Sequence, residues 1–333
     1  MKIVDAHLDL ADNALRGRPV HLPAREQPPD EEGIPTVGLP DLRAGGVDLI
    51  CATLFCMPAY DGKPGYRTGD EANAEARKQL DYYRAQEAAG RMQLVSRPAD
   101  IAIKPRAVQA IVLMEGADPI RNENDARMFF EAGVRIVGLT WKEGTRYAGG
   151  NSVVGPLTSD GIALLDTLDR LGMIHDVSHL AEEAFRELLE LSAGPVIASH
   201  SNCRAIVPGE RQLSDEMIRA IISRNGVIGI NFYDAFLLPP HSNKRRARLE
   251  DVIIHIDRIC GIAGSAAHVG LGTDMDGGFG REQIPTEIQT SADLPRVADA
   301  LRARGFADND IEGIMSRNWT DFFKRNLAGG HGN

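Results

Sequence analysis

Gly172-Met173-Ile174-His175-Asp176-Val177-Ser178-His179 can be read in two ways, and the choice decides the fold. As a helix, its His-x3-His spacing would set His175 and His179 one turn apart, as in a helical zinc motif. As a strand, the run buries His175 in the core and delivers His179 at its end. The glycine start and the short apolar stretch favour the strand. His179 then joins a series of polar residues at the ends of strand-like runs. His7 and Asp9 follow Lys2–Ala6, Glu115 follows Ala110–Met114, His200 follows Pro195–Ser199, and Asp274 follows His268–Thr273.

Working outward, eight strands are predicted: Lys2–Ala6, Val47–Leu54, Val108–Met114, Val134–Thr140, Gly172–Val177, Val196–Ser199, Val227–Asn231 and Val269–Gly272. Their β-branched, two-face-apolar character suits a buried parallel sheet. Between them lie amphipathic stretches: Asp70–Ala89, Asn124–Ala132, Ser159–Leu171, Ala181–Leu191, Ser214–Arg224, Ala247–Ala263 and Asp293–Arg304. Ser159, Ser214 and Asp70 are the expected N-caps, and Gly133, Gly172, Gly226 and Gly305 the expected stops. The alternation predicts an α/β fold, a (β/α)8 TIM barrel filling residues 1–333 as a single domain. A Pro- and Gly-rich loop at about 17–43 would cover the mouth, with a second excursion at Ala148–Leu157 and a frayed tail at Gly329–Asn333. A doubly wound sheet competes, but no Gly-rich phosphate fingerprint follows a strand.

Composition narrows the function. The 43% hydrophobic and 25% charged residues are those of a soluble globular chain. A formal charge of -10 argues against nucleic-acid or anionic-membrane partners. The basic run Lys244-Arg245-Arg246-Ala247-Arg248 opposes that trend and reads as the solvated start of a helix. Cys51, Cys56, Cys203 and Cys260 form no zinc knuckle and no disulfide framework, so reduced thiols are expected. No signal peptide or spanning segment is read, which makes a cytoplasmic protein the expectation.

The residues at the strand ends form a metal-ligand set: imidazoles and carboxylates suited to zinc or a similar divalent ion. His7 and Asp9, two apart, can approach one ion together. Glu115 closes a wholly apolar run, and its two oxygens can each take one metal; pairing with an arginine is the plainer alternative. Asp274, in Gly272-Thr273-Asp274-Met275-Asp276-Gly277-Gly278, stands where a carboxylate could accept a proton from an acidified water. His175 is read as a core or supporting residue, and His21, His241, His255, His268 and His331 carry no supporting context.

The pieces Asp5-Ala6-His7-Leu8-Asp9, Met114-Glu115-Gly116, Asp176-Val177-Ser178-His179, Ser199-His200-Ser201, Gly229-Ile230-Asn231-Phe232-Tyr233 and Gly272-Thr273-Asp274-Met275-Asp276-Gly277 resemble the renal (membrane) dipeptidase family of the amidohydrolase superfamily. The resemblance runs in order from residue 3 to about residue 325. It implies a binuclear site of two Zn2+ ions, with His7 and Asp9 on one, His179 and His200 on the other, and Glu115 between them. It further implies a shared hydroxide as nucleophile and Asp274 as the residue that orients it and passes its proton to the leaving amine. Arg211 would clamp the substrate's terminal carboxylate, Tyr233 would lie near the substrate, and Arg204 is a weaker candidate for either role. A homodimer is implied by resemblance alone.

Two departures stand out. Where many members have His after Leu-Thr, this chain has Leu139-Thr140-Trp141-Lys142. A lost electrostatic stabiliser of that kind is worth roughly 3–4 kcal/mol. Arg146, Asn151 or Lys142 could replace it; Lys142 as a carbamylated ligand is set aside because Glu115 already bridges. Trp141 would then help shape the substrate pocket. Ser316-Arg317-Asn318-Trp319 stands where Gly-Gly-Asn is commoner, which affects local loop packing. The expected activity is zinc-dependent hydrolysis of small dipeptides, including L-Xaa-D-Xaa. Hydrolysis of a non-peptide amide, lactam or ester is the alternative within enzymes, and a metal-binding carboxylate sensor the alternative outside them.

Overall fold

The computed structural model describes residues 2–102, 105–240, 242 and 245–327. His241, Lys244 and the Gly329–Asn333 tail with His331 lie outside the described residues. Among the described residues there are nine parallel strands: β1 (Ile3–Leu8), β2 (Val47–Phe55), β3 (Met92–Leu94), β4 (Val108–Glu115), β5 (Val134–Gly138), β6 (Ile174–Asp176), β7 (Val196–Ile197), β8 (Ile228–Ile230) and β9 (Val269–Leu271). Eight form a nearly closed barrel in the order β7-β6-β5-β4-β2-β1-β9-β8. The gap between β7 and β8 is spanned by a parallel bridge, Ala198 to Ile228. β3 is the addition to the expected set; it lies beside the start of β4, Met92 opposite Val108.

The period-2 pleat divides each apolar run between two cores. Val4, Ala6, Leu49, Cys51, Ile111, Leu113, Ile136, Ile174 and Ile197 form the inner cluster, stoppered by Trp319, Phe322 and Phe323. Alternate residues such as Val108, Ala110, Val112 and Met114 join a larger cluster shared with the helices. Each fully buried aromatic of the stopper contributes about 1.5–3 kcal/mol by removal from water. The expected packing disturbance at Ser316-Arg317-Asn318 is absorbed there. Gly313–Arg317 forms a π-helical turn, and Asn318 Nδ2 donates to Ala266 and Val269 carbonyls at 2.6 and 2.8 Å.

The same parity aims the site. Ile111 and Leu113 are followed on the inner face by Glu115, Ile174 by Asp176, and Ile197 by Ser199, so hydrophobic layers give way to a polar layer at the C-terminal mouth. β1 breaks the parity: its register slips between Asp5 and Leu8, which lets His7 turn inward directly after Ala6. Gly229 and Gly272 are close-approach positions; a Cβ on either would stand 2.0 or 1.7 Å from the Ser199 carbonyl oxygen. No side chain can occupy those points.

The helices match the expected stretches within a residue or two, but some caps differ. Thr158 and Thr68, not Ser159 and Asp70, accept from the first-turn N–H groups of Gly161 and Glu71, while Ser214 caps as expected. Beyond Arg224 the left-handed position is taken by Asn225 at φ 53°, not by Gly226. The basic run Arg245–Arg248 leads into the helix Leu249–Ala263, with Arg245 paired to Asp251 and Arg248 to Glu287. No described helix is long and apolar enough to cross a membrane.

Candidate metal centre

His7, Asp9, Glu115, His179, His200 and Asp274 meet at the mouth, as the sequence reading requires. Glu115 is central. Its Oε2 faces His7 Nε2 at 3.5 Å, and its Oε1 faces His179 Nε2 at 3.2 Å and His200 Nε2 at 3.4 Å. His7 Nε2 also stands 3.8 Å from Asp9 Oδ1 and 4.0 Å from Asp274 Oδ1. Two ligand groups result, His7–Asp9–Asp274 and Glu115–His179–His200.

These residues fit cations better than they fit each other. His7 Nε2 and Glu115 Oε1 are buried without a hydrogen-bond partner, a costly state for polar atoms. The Nε2 atoms of His179 and His200 point at one another across 3.0 Å. A divalent ion in each group would satisfy all of them.

The protonation states tell the same story. Burial opposes a charged His7, but Glu115, Asp9 and Asp274 together outweigh it and raise the ring to about 10. A proton on His7 thus takes the place of a metal charge. Burial and then the Arg211 charge lower His179 to about 4, and burial holds His200 well below its usual range, so both are neutral imidazoles fit for ligation. Burial also works against ionising Glu115, yet the facing His7 and His179 more than cancel it and hold its carboxyl below the usual range. Burial raises Asp9 to about 7 and pushes Asp274 well above a normal carboxyl.

A polar floor sets the ligands. Ser199 Oγ donates to Asp176 Oδ2 at 2.5 Å, so its lone pairs are left to accept from His7 Nδ1 at 3.1 Å and His200 Nδ1 at 2.8 Å. A hydroxyl has one donor and two acceptor sites, and all three are used. With Nδ1 protonated on both rings, both Nε2 lone pairs point into the centre. His7, Asp176 and His200 also satisfy the distances of a metal site, but Ser199 lies among them, so the grouping is a hydrogen-bonded support. Asp176 Oδ1 further accepts the Ser178 and Ser199 backbone N–H groups at 3.0 and 2.9 Å. Asn151 Oδ1 lies 2.8 Å from His179 Nδ1, giving that ring the same treatment from the Ala148–Leu157 excursion.

Left-handed backbone aims the polar residues that follow strands: His179, Asp274 and Asp276 have φ of 66°, 59° and 64°. Asp274 Oδ2 accepts from Asn231 Nδ2 at 2.8 Å. Asp276, two residues on, points elsewhere; it accepts from Thr36 N, Thr36 Oγ1 and Val37 N at 2.7–3.1 Å and anchors the 17–43 loop. Arg211 lies beside His200, donating to its carbonyl at 2.6 Å and to Ser201 Oγ at 3.0 Å, with Nε unpartnered and the ring of Phe236 beneath it. Tyr233 stacks on Phe279 at 4.6 Å, on the same flank.

Trp141 forms the opposite flank, 6.3 Å from the His179 ring, with Phe55 at 5.1 Å and Tyr60 at 5.8 Å. Each of the proposed substitutes for the missing histidine already has a partner, and Lys142 keeps donors to spare. Arg146 donates to the Asp118 and Ile120 carbonyls, Asn151 supports His179, and Lys142 Nζ bonds Tyr60 Oη at 2.9 Å. Arg204 pairs with Glu182 and donates to the Gln212 carbonyl, so its guanidinium is already engaged. His175 bonds Asp169 at 2.6 Å inside the core, as the strand reading expects. Sequence reasoning missed the roles of Asp176 and Ser199, although each precedes a ligand on an inward-facing strand end. A cleft of about 780 Å3 opens at the other end of the barrel beside Arg224, His268 and Arg317.

Comparison with known proteins agrees with this geometry. Residues 1–326 match the model of the membrane dipeptidase family, peptidase family M19. A Klebsiella pneumoniae protein from the pqqA 5′ region is 34% identical over 247 residues, covering 71% of this chain and 89% of that one. The dipeptidase tcpJ of Claviceps purpurea is 30% identical, covering 68% of this chain and 54% of its own length. A metallopeptidase of Rhodobacter sphaeroides, solved with a phosphinate mimic of the dipeptide L-Ala-D-Ala, superposes with a TM-score of 0.85 at 26% identity, over 98% of this chain and 99% of that one. The chain belongs to the membrane dipeptidase family, a family of metal-dependent barrel hydrolases.

Proposed function

We propose that this protein hydrolyses small dipeptides, L-Xaa-D-Xaa among them, with two Zn2+ ions held by His7 and Asp9 on one side, His179 and His200 on the other, and Glu115 between. The observation that carries the reading is Glu115, whose two oxygens face two separate histidine groups. Bound there, the ions would polarise the peptide carbonyl and make a water acidic enough to attack at neutral pH. The chain's own residues do the rest. Arg211, buried and with a free Nε, takes the substrate's terminal carboxylate and orients the peptide bond over the centre. Asp274, steadied by Asn231, takes up a proton at Oδ1 and returns it to the leaving amine nitrogen; its raised affinity for a proton suits that transfer. The aromatic flank of Phe55, Tyr60 and Trp141 excludes water from the other side.

The Trp141 flank also suits a non-peptide amide, lactam or ester, so the test uses both classes of substrate. Elemental analysis of the purified protein is expected to show two zinc ions per chain. A library of L-L and L-D dipeptides, beside N-acyl and cyclic amides, is expected to show turnover of dipeptides with a free carboxylate. Glu115→Gln should abolish turnover and lower the metal content while circular dichroism stays native. Full activity in that variant refutes the assignment.

A further inference from the structure

We propose that Lys142 makes this enzyme selective for dipeptides whose N-terminal residue carries an acidic side chain, an inference that rests on the dipeptidase reading above. Arg211 follows β7 and Tyr233 follows β8, whereas Phe55 ends β2, Tyr60 follows β2 and Trp141 follows β5. In the order of the ring, β2-β4-β5 lies across the mouth from β7, β8 and β9. A dipeptide held by its terminal carboxylate at Arg211 therefore extends over the ligands toward Trp141. The side chain of its N-terminal residue arrives at the aromatic flank.

Lys142 supplies the charge on that flank. Its Nζ is held 4.6 Å from the Trp141 ring and 4.5 Å from the Tyr60 ring, and bonds Tyr60 Oη at 2.9 Å. Among the described residues its nearest carboxylate is Glu143 Oε1 at 3.7 Å, beyond hydrogen-bond distance. The side chain is 32% exposed. An ammonium has three donors, and Tyr60 uses one. Two aromatic faces fix this normally mobile group and shield it from part of the solvent. Glu143 gives it only a long ion pair without a hydrogen bond, and an Asp or Glu side chain in that subsite supplies a carboxylate close enough to accept from its remaining donors.

The test is a ratio measured within each protein, so incomplete folding or metal loading cancels. The kcat/KM of L-Glu-Ala is divided by that of the isosteric L-Gln-Ala, with both L- and D-Ala. Wild type is expected to favour the glutamyl substrate roughly fivefold, the effect of one partly exposed ion pair of about 1 kcal/mol. Lys142→Gln should bring the ratio to about one, Lys142→Glu should invert it, and Lys142→Arg should restore it. A wild-type ratio of one overturns the proposal, as does a Lys142→Gln variant that slows both substrates in parallel. Selectivity for acid only in the C-terminal residue overturns it too. If neither these substrates nor Ala-Ala is cleaved, the dipeptidase reading itself has failed and takes this proposal with it.

Discussion

Replacing Ser199 by alanine removes three hydrogen bonds that bear on both halves of the metal centre. Asp176 Oδ2 loses its donor, and His7 Nδ1 and His200 Nδ1 lose their acceptor. Asp176 keeps two backbone donors, so the floor remains largely satisfied. The two rings do not: each can now rotate or shift its proton to Nε2, which cannot then ligate. Loss of such an outer partner costs about 10- to 100-fold in metal affinity, or roughly 1.4–2.7 kcal/mol per ion. Because His7 and His200 stand on opposite sides of Glu115, both ions are expected to weaken together. Asn151→Ala removes support from His179 alone and should weaken one. Chelator competition with zinc, read as two separate dissociation constants, distinguishes the outcomes. Two unchanged constants in Ser199→Ala, or a change confined to one, refute the argument that a single hydroxyl sets both histidines.

Two further predictions follow from the same geometry. A Cβ at Gly277 would lie 2.0 Å from Asp274 Oδ1, so Gly277→Ala should displace that carboxylate. It is expected to lower kcat by at least about 100-fold with zinc content retained, the size of a lost general acid–base group, whereas wild-type kcat would show that Asp274 takes no part. In the metal-free protein burial pushes Asp9 up to about 7, and against burial the carboxylates of Glu115, Asp9 and Asp274 raise His7 to about 10. Below pH 7 both carry protons that a metal must displace, so zinc affinity should rise as pH rises through 7 and continue rising toward 10. Calorimetry in buffers of different ionisation enthalpy should find more protons released at pH 6 than at pH 8; equal release at the two would contradict it.

Much of the barrel could be read from the chain because each strand is a short apolar run with a polar residue at its end. Such runs are buried on both faces, and their ligands come last. Met92–Leu94 escaped because three residues with Gln93 in the middle carry no local signal; only the neighbouring start of β4 makes them a strand. The caps at Thr68 and Thr158 were misplaced by one or two residues because several oxygen-bearing residues adjoin each helix start.

That these histidines and carboxylates share one mouth was legible from residue type and position, because such groups placed at strand ends cannot stay buried there without a partner. Which nitrogen each histidine turns to the centre was decided only in three dimensions. So were the anchoring of the 17–43 loop by Asp276 and the engagement of Arg204 elsewhere. These depend on hydrogen bonds between residues far apart in the chain, such as Ser199 to His7 and Asp276 to Thr36. Residue order sets what a side chain can donate or accept; closing the barrel decides which partner stands within 3 Å of it.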